Sequence, residues 1–148
     1  MRQPEFIVYT GPMFGSKTTR MLSAIERSLY QNKKVVAFKP RMDNRYSDGE
    51  IVTHTGVRYD AHNVREGREI LELSEGYDVV AVDEAFMIEG VADALVDLFT
   101  QGKSIIVSSI QLSASGQVFD EIRDILPWAT KIEICPAVCL QTGADAFY

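Results

Sequence analysis

An α/β fold, with a mostly parallel sheet and helices on both faces, is predicted by three features of this 148-residue sequence. Short, wholly apolar runs recur along it. Longer segments between them carry apolar residues at helical spacing. Gly, Pro, Asp and Asn punctuate the boundaries. Continuous apolar strands are what a sheet buried on both faces requires, because neither side of the pleat can be polar.

Residues 5–10 (EFIVYT) form the first strand, rich in β-branched and aromatic side chains. A turn-rich loop, 11–17, follows it. Residues 18–31 read as a helix, with Met21, Leu22, Ile25 and Leu29 on one face. Residues 34–39 (KVVAFK) make a second strand, stopped by Pro40, and 41–50 make a polar loop. Residues 51–61 are expected to hold two short strands around Gly56. A helix over 65–75 would turn Ile70, Leu71 and Leu73 inward. Residues 79–82 (VVAV) are a fully apolar strand closed by Asp83 and Glu84. A helix over 91–100 presents Ala92, Leu95, Leu98 and Phe99. Residues 104–109 (SIIVSS) are a buried-type strand, 118–126 a short helix and 131–135 a last strand. No repeat, low-complexity tract or long linker interrupts the chain, so residues 1–148 are expected to form one domain.

Composition narrows the function. The hydrophobic fraction is 46% and the charged fraction 24%, as in a folded globular chain. A net charge of −6 leaves no strong nucleic-acid footprint, which needs clustered Lys and Arg. No apolar run is long enough to cross a membrane, and no export signal opens the sequence. Two cysteines, Cys135 and Cys139, are then expected to stay reduced. A cytoplasmic location follows from these readings.

In an α/β sheet of this kind ligands bind at the carboxyl ends of the strands. Two such ends carry chemistry. After the first strand stands Gly11-Pro12-Met13-Phe14-Gly15-Ser16-Lys17-Thr18-Thr19, opening a helix. A strand–loop–helix with Lys-Thr at its end is the setting of a phosphate loop. Backbone N–H groups cradle phosphate, Lys17 neutralises it and the Thr18 hydroxyl ligates magnesium. The template places glycine directly before the lysine, whereas here Gly15 precedes Ser16. The bland alternative is a strand-to-helix turn without a ligand. After the middle strand stand Asp83 and Glu84. Such an Asp assists Mg²⁺ and the adjacent Glu can take a proton from an attacking hydroxyl. The alternative for Asp83 is a helix cap. These two ends point to a P-loop NTPase fold that handles a nucleoside triphosphate with Mg²⁺.

The same residues, with others further along, resemble the thymidine kinase family shared by animals, bacteria and large DNA viruses. Gly11-Pro12-Met13-Phe14 with Lys17-Thr18-Thr19 resembles its phosphate loop. Lys39-Pro40, Asp43, Arg45-Tyr46, Ile51, Thr53-His54 and Gly56 resemble its second-strand motif, and Asp83-Glu84-Ala85 its acidic motif. Residues 102–107 resemble the strand that follows. Ala137-Val138-Cys139 with Gly143 resembles the start of its zinc-bearing region. The resemblance implies ATP- and Mg²⁺-dependent phosphorylation of the 5′-hydroxyl of a deoxynucleoside, thymidine, usually by a homo-oligomer. It implies Glu84 as base, Arg45 beside the transferred phosphate and Asp43 supporting it. It further implies Phe119 at the base and Phe86 beside the nucleotide residues. Asp43 and Arg45 also read as a solvated surface pair, and Phe119 as a core residue.

The sequence departs from the family at several points. Phe86-Met87 stand where Gln-Phe is usual, and Ala114 stands where an aromatic helps hold the base. Cys139 is followed by Thr142, not a second cysteine, and no further pair follows. Cys135 and Cys139 cannot close a tetrahedral site alone, so structural zinc is not expected and the C-terminal zinc and base-wrapping region is read as lacking. Two other readings therefore stand beside the kinase. One is a phosphotransferase or NTPase of relaxed specificity. The other is a non-catalytic nucleotide-binding assembly module.

Overall fold

The computed structural model describes residues 3–11, 17–41, 49–52, 58–110, 119–135, 137–138 and 145–146. Six strands form one parallel sheet: β1 (Phe6–Thr10), β2 (Val35–Pro40), β5 (His62–Val64), β6 (Val79–Val82), β7 (Ser104–Ser108) and β8 (Lys131–Ile134). Their spatial order is β5-β2-β6-β7-β1-β8, and each neighbouring pair runs parallel. Strands β3 (Glu50–Val52) and β4 (Arg58–Asp60) make a separate antiparallel pair, with Ile51 opposite Tyr59. A further antiparallel pair joins β9 (Ala137–Val138) to β10 (Asp145–Ala146). The helices are α1 (Lys17–Tyr30), α2 (Gly67–Leu73), α3 (Val91–Thr100) and α4 (Asp120–Ile125).

The apolar strands divide their side chains between two cores, because successive residues point to opposite faces. Phe6, Val8, Phe38, Val82, Ile105 and Val107 face one side, where Ile70, Leu95, Leu98, Ile122 and Ile125 of α2, α3 and α4 cover them. Ile7, Tyr9, Ala37, Ala81 and Ile106 face the other, under Met21, Leu22, Ala24 and Ile25 of α1 and Ile51 of β3. Helix α1 ends in a left-handed residue, Asn32 at φ 61°. The Asn32 N–H donates to the Leu29 carbonyl and the Lys33 N–H to the Ser28 carbonyl, which satisfies two carbonyls of the last turn.

The sequence reading places the main strands and helices within one to three residues. Three differences have physical causes. The sequence reading assigns no element to His62–Val64. It becomes β5 by pairing with Phe38, Lys39 and Pro40 at the sheet edge. The second helix is shorter than 65–75, and Leu73 is 43% exposed rather than inward. The stripe that α2 turns to the core runs through Gly67, Ile70, Leu71 and, just past its end, Ser74, and at about 100° per residue Leu73 falls outside it. The strand over 34–39 runs through Pro40, whose missing N–H is harmless at the last residue.

Leu95 is fully buried, whereas Leu73 lies on the surface. Leu95→Ala is expected to destabilise by about 2–5 kcal/mol, and Leu73→Ala by less than about 0.5 kcal/mol. Urea unfolding of the two variants checks this; equal losses would contradict the outward placement of Leu73.

Candidate functional site

Parallel strands all end on the same edge, so β1, β6 and β7 deliver their last residues to one place. Helix α1 begins there with Lys17. The Thr18 hydroxyl donates to Asp83 Oδ1 at 3.2 Å, linking the first turn of α1 to the end of β6. Asp83 is only 7% exposed. Its burial, reinforced by the neighbouring Glu84 carboxylate, pushes its carboxyl from an ordinary 3.8 up to about 6. Hydrogen bonds from Ser108, Thr18 and the Glu84 backbone N–H pull the other way and do not overcome it. Burial likewise holds the Lys17 ammonium below its usual range, against the opposing charges at Asp83, Cys135 and Glu84.

Glu84 sits at φ 50°, ψ 44°, the left-handed region a non-glycine residue rarely enters. Such a conformation costs on the order of 1–2 kcal/mol and persists where surrounding packing determines it. Here Asp83 precedes it toward Thr18, and Ala85 follows it into the core under α2, α3 and α4. A short 3-10 turn, Ala85–Met87, then leads away.

Gly11, at φ +143°, lies against the end of β8. A Cβ there would stand 2.1 Å from the Cys135 carbonyl oxygen. The Cys135 N–H donates to the Thr10 carbonyl at 2.7 Å. The start of the loop is thereby clamped to the neighbouring strand. An Arg20–Glu133 ion pair ties the first turn of α1 to the same strand.

On the opposite face of the sheet Phe86 and Phe119 pair, with ring centroids 4.8 Å apart. The Phe86 N–H donates to the Ser109 hydroxyl at 3.3 Å. Both rings pack against the core covered by α2, α3 and α4.

Of the expected site residues, Lys17, Thr18, Asp83 and Glu84 come together. Thr19 is exposed on the first turn of α1. Phe86, expected beside the nucleotide residues, packs against Phe119. Pro12, Met13, Phe14, Gly15, Ser16, Asp43 and Arg45 lie outside the described residues, as do His54, Ala114, Cys139 and Thr142. Sequence reasoning missed Ser108, whose hydroxyl supports Asp83; Lys39, noted only within a motif, proves to be a 3% exposed lysine near the carboxyl end of β2. Each had a signal: a hydroxyl or a charge closing an apolar strand on the ligand-binding edge.

A threonine hydroxyl and a buried carboxylate are hard oxygen donors, the kind magnesium takes alongside phosphate oxygens. A cation there would also offset the cost of keeping Asp83 charged, so the residues fit Mg²⁺. Among the described residues no helix is long and apolar enough to cross a membrane.

A parallel sheet that brings a helix-opening Lys-Thr pair against an aspartate at the end of a neighbouring strand defines an α/β protein of the P-loop NTPase type. A family model for thymidine kinase matches residues 5–148. A thymidine kinase of Thermococcus kodakarensis is 39% identical over 146 residues, covering 94% of this chain and 74% of that protein. A thymidine kinase of Pyrobaculum aerophilum is 33% identical over 145 residues, covering 95% of this chain and 78% of that protein. The chain belongs to the thymidine kinase family and is a thymidine kinase-like phosphotransferase.

Asp83 keeps its proton more readily folded than unfolded, so its contribution to stability is greatest below about pH 4 and is lost as pH rises through about 6. Asp83→Asn is therefore expected to raise the stability of the ligand-free protein at pH 8, by on the order of 1–2 kcal/mol, with the gain shrinking toward pH 4. Chemical denaturation at the two pH values measures it. A variant less stable than the parent at pH 8 would show that the carboxylate is favourably held.

Proposed function

We propose that the chain phosphorylates the 5′-hydroxyl of a deoxynucleoside, thymidine, using ATP and Mg²⁺. The observation that carries this reading is the junction of Lys17 and Thr18 with Asp83 and Glu84, closed by the 3.2 Å Thr18–Asp83 hydrogen bond, in a chain of this family.

Each residue has a role its chemistry suits. Lys17 binds the terminal phosphate oxygens, and its partial burial strengthens that attraction. Met13 to Ser16 supply backbone N–H groups to the phosphates. Thr18 and Asp83 hold Mg²⁺, which supplies charge neutralisation at the phosphates. Ser108 keeps the Asp83 carboxylate oriented. Glu84 accepts the proton of the attacking 5′-hydroxyl. Arg45 stabilises the transferred phosphate with Asp43 beside it. Phe119, with Phe86 against it, offers an aromatic wall to the base.

ATP consumption by wild type, Lys17→Ala and Glu84→Gln, measured with Mg²⁺ and a panel of deoxynucleosides, tests the assignment. Thymidine-dependent turnover should fall in Glu84→Gln by roughly 10²–10⁴-fold and in Lys17→Ala by a comparable factor. Full rates in both variants would remove these residues from the mechanism. Wild-type turnover that ignores the acceptor would favour a relaxed NTPase, and none at all a binding module.

A further inference from the structure

Helix α3 has no capping side chain of its own. Its first turn is preceded by Gly90, at φ 76°, which offers no side-chain oxygen to the exposed N–H groups. The cap comes from 31 residues further along. Glu121 Oε1 accepts from the Gly90 N–H at 2.8 Å, and Glu121 Oε2 accepts from the Ala92 N–H at 2.7 Å. Both carboxylate oxygens are used, and the negative charge sits at the positive end of the helix dipole.

The position of this carboxylate in the chain matters more than the cap itself. Glu121 stands two residues after Phe119, at the start of α4. Gly90 stands four residues after Phe86, past the 3-10 turn that follows Glu84. The two hydrogen bonds therefore join the segment carrying one ring to the segment carrying the other. Farther along, α4 is held differently. Ile122 and Ile125 are fully buried in the core. Without Glu121 those apolar anchors remain, while the end of α4 that bears Phe119 loses its polar tie. The other charged contacts of α4 do not replace it. Arg123 pairs with Asp120 and Asp124 on the surface, and all three side chains are more than half exposed.

We propose that Glu121 is a positioning residue for the acceptor nucleoside: by bridging α4 to the start of α3 it sets Phe119 against Phe86, and so sets the affinity of the base without touching it. This rests on the proposed role of Phe119 at the base. It assigns to the α4–α3 link control over the acceptor and none over ATP, since Lys17, Thr18 and Asp83 lie across the sheet.

The experiment is steady-state kinetics of the full chain with ATP and thymidine for wild type, Glu121→Ala, Glu121→Gln and Phe119→Ala. Glu121→Ala should raise the thymidine KM by roughly five- to tenfold, the loss of about one charge-assisted contact. The ATP KM and kcat should stay within about twofold. Glu121→Gln, which keeps one acceptor oxygen and the side chain's shape, should recover part of the loss and covers the case in which the alanine variant folds poorly. An unchanged thymidine KM in both Glu121 variants, beside a raised one in Phe119→Ala, overturns the positioning role alone. Parallel changes in the thymidine KM, the ATP KM and kcat also overturn it, leaving Glu121 a general stabiliser. No effect of Phe119→Ala on the thymidine KM defeats the acceptor reading itself, and the positioning role falls with it.

Discussion

Asp83 is a carboxylate kept almost wholly out of water at the end of an apolar strand, and much of the site is arranged around that cost. Isolated, a buried carboxylate takes up a proton instead of staying charged. Three donors face it from three parts of the chain: Thr18 from α1, Ser108 from β7 and the backbone of Glu84. They leave its proton affinity raised, so the site is short of positive charge until a ligand brings some. In the proposed reaction a bound cation would offset the cost of keeping Asp83 charged.

The sheet separates two tasks. Its α1 face meets Lys17, Thr18 and Asp83, while the α2–α4 face carries Phe86 and Phe119. Glu84 stands at the join, in a left-handed turn between a residue bonded to α1 and a residue buried in the core under α2, α3 and α4. A strand that simply ended at Asp83 would leave the chain on one face. The strained residue lets consecutive positions serve both, and its cost of on the order of 1–2 kcal/mol is small beside the packing of Ala85 and Ile88 that follows it.

Much of this was legible in the sequence because burial on both faces leaves a strong signature. The runs at 79–82 and 104–109 could hardly be anything but inner strands, and the polar residues closing them marked the ligand-binding edge. What escaped had weaker local signals. His62–Val64 is a strand only because β2 offers it an edge. Leu73 looked inward because it is apolar and three residues from Ile70, but the buried stripe runs through Gly67, Ile70 and Ser74. Nothing in the sequence showed that the 3-10 turn after Glu84 sets Phe86 against Phe119. Glu121 gave no sign, since its partners are backbone N–H groups 31 and 29 residues away.

Gly11 has a structural role of its own, apart from any ligand. A glycine opening a phosphate loop is ordinarily explained by close approach of backbone to phosphate. Here a side chain at that position would first strike the Cys135 carbonyl, at 2.1 Å, before any ligand arrives. The glycine is needed for the parallel pairing of β8 with β1 to continue to the strand's end, where the Cys135 N–H meets the Thr10 carbonyl. That pairing anchors the chain as it leaves β1, and the Arg20–Glu133 contact anchors it again one turn into α1, on the same neighbouring strand. Gly11 and Arg20, on either side of the Lys17–Thr18 pair, are thus both attached to the β8 side of the sheet, a strand that contributes none of the sequence motif.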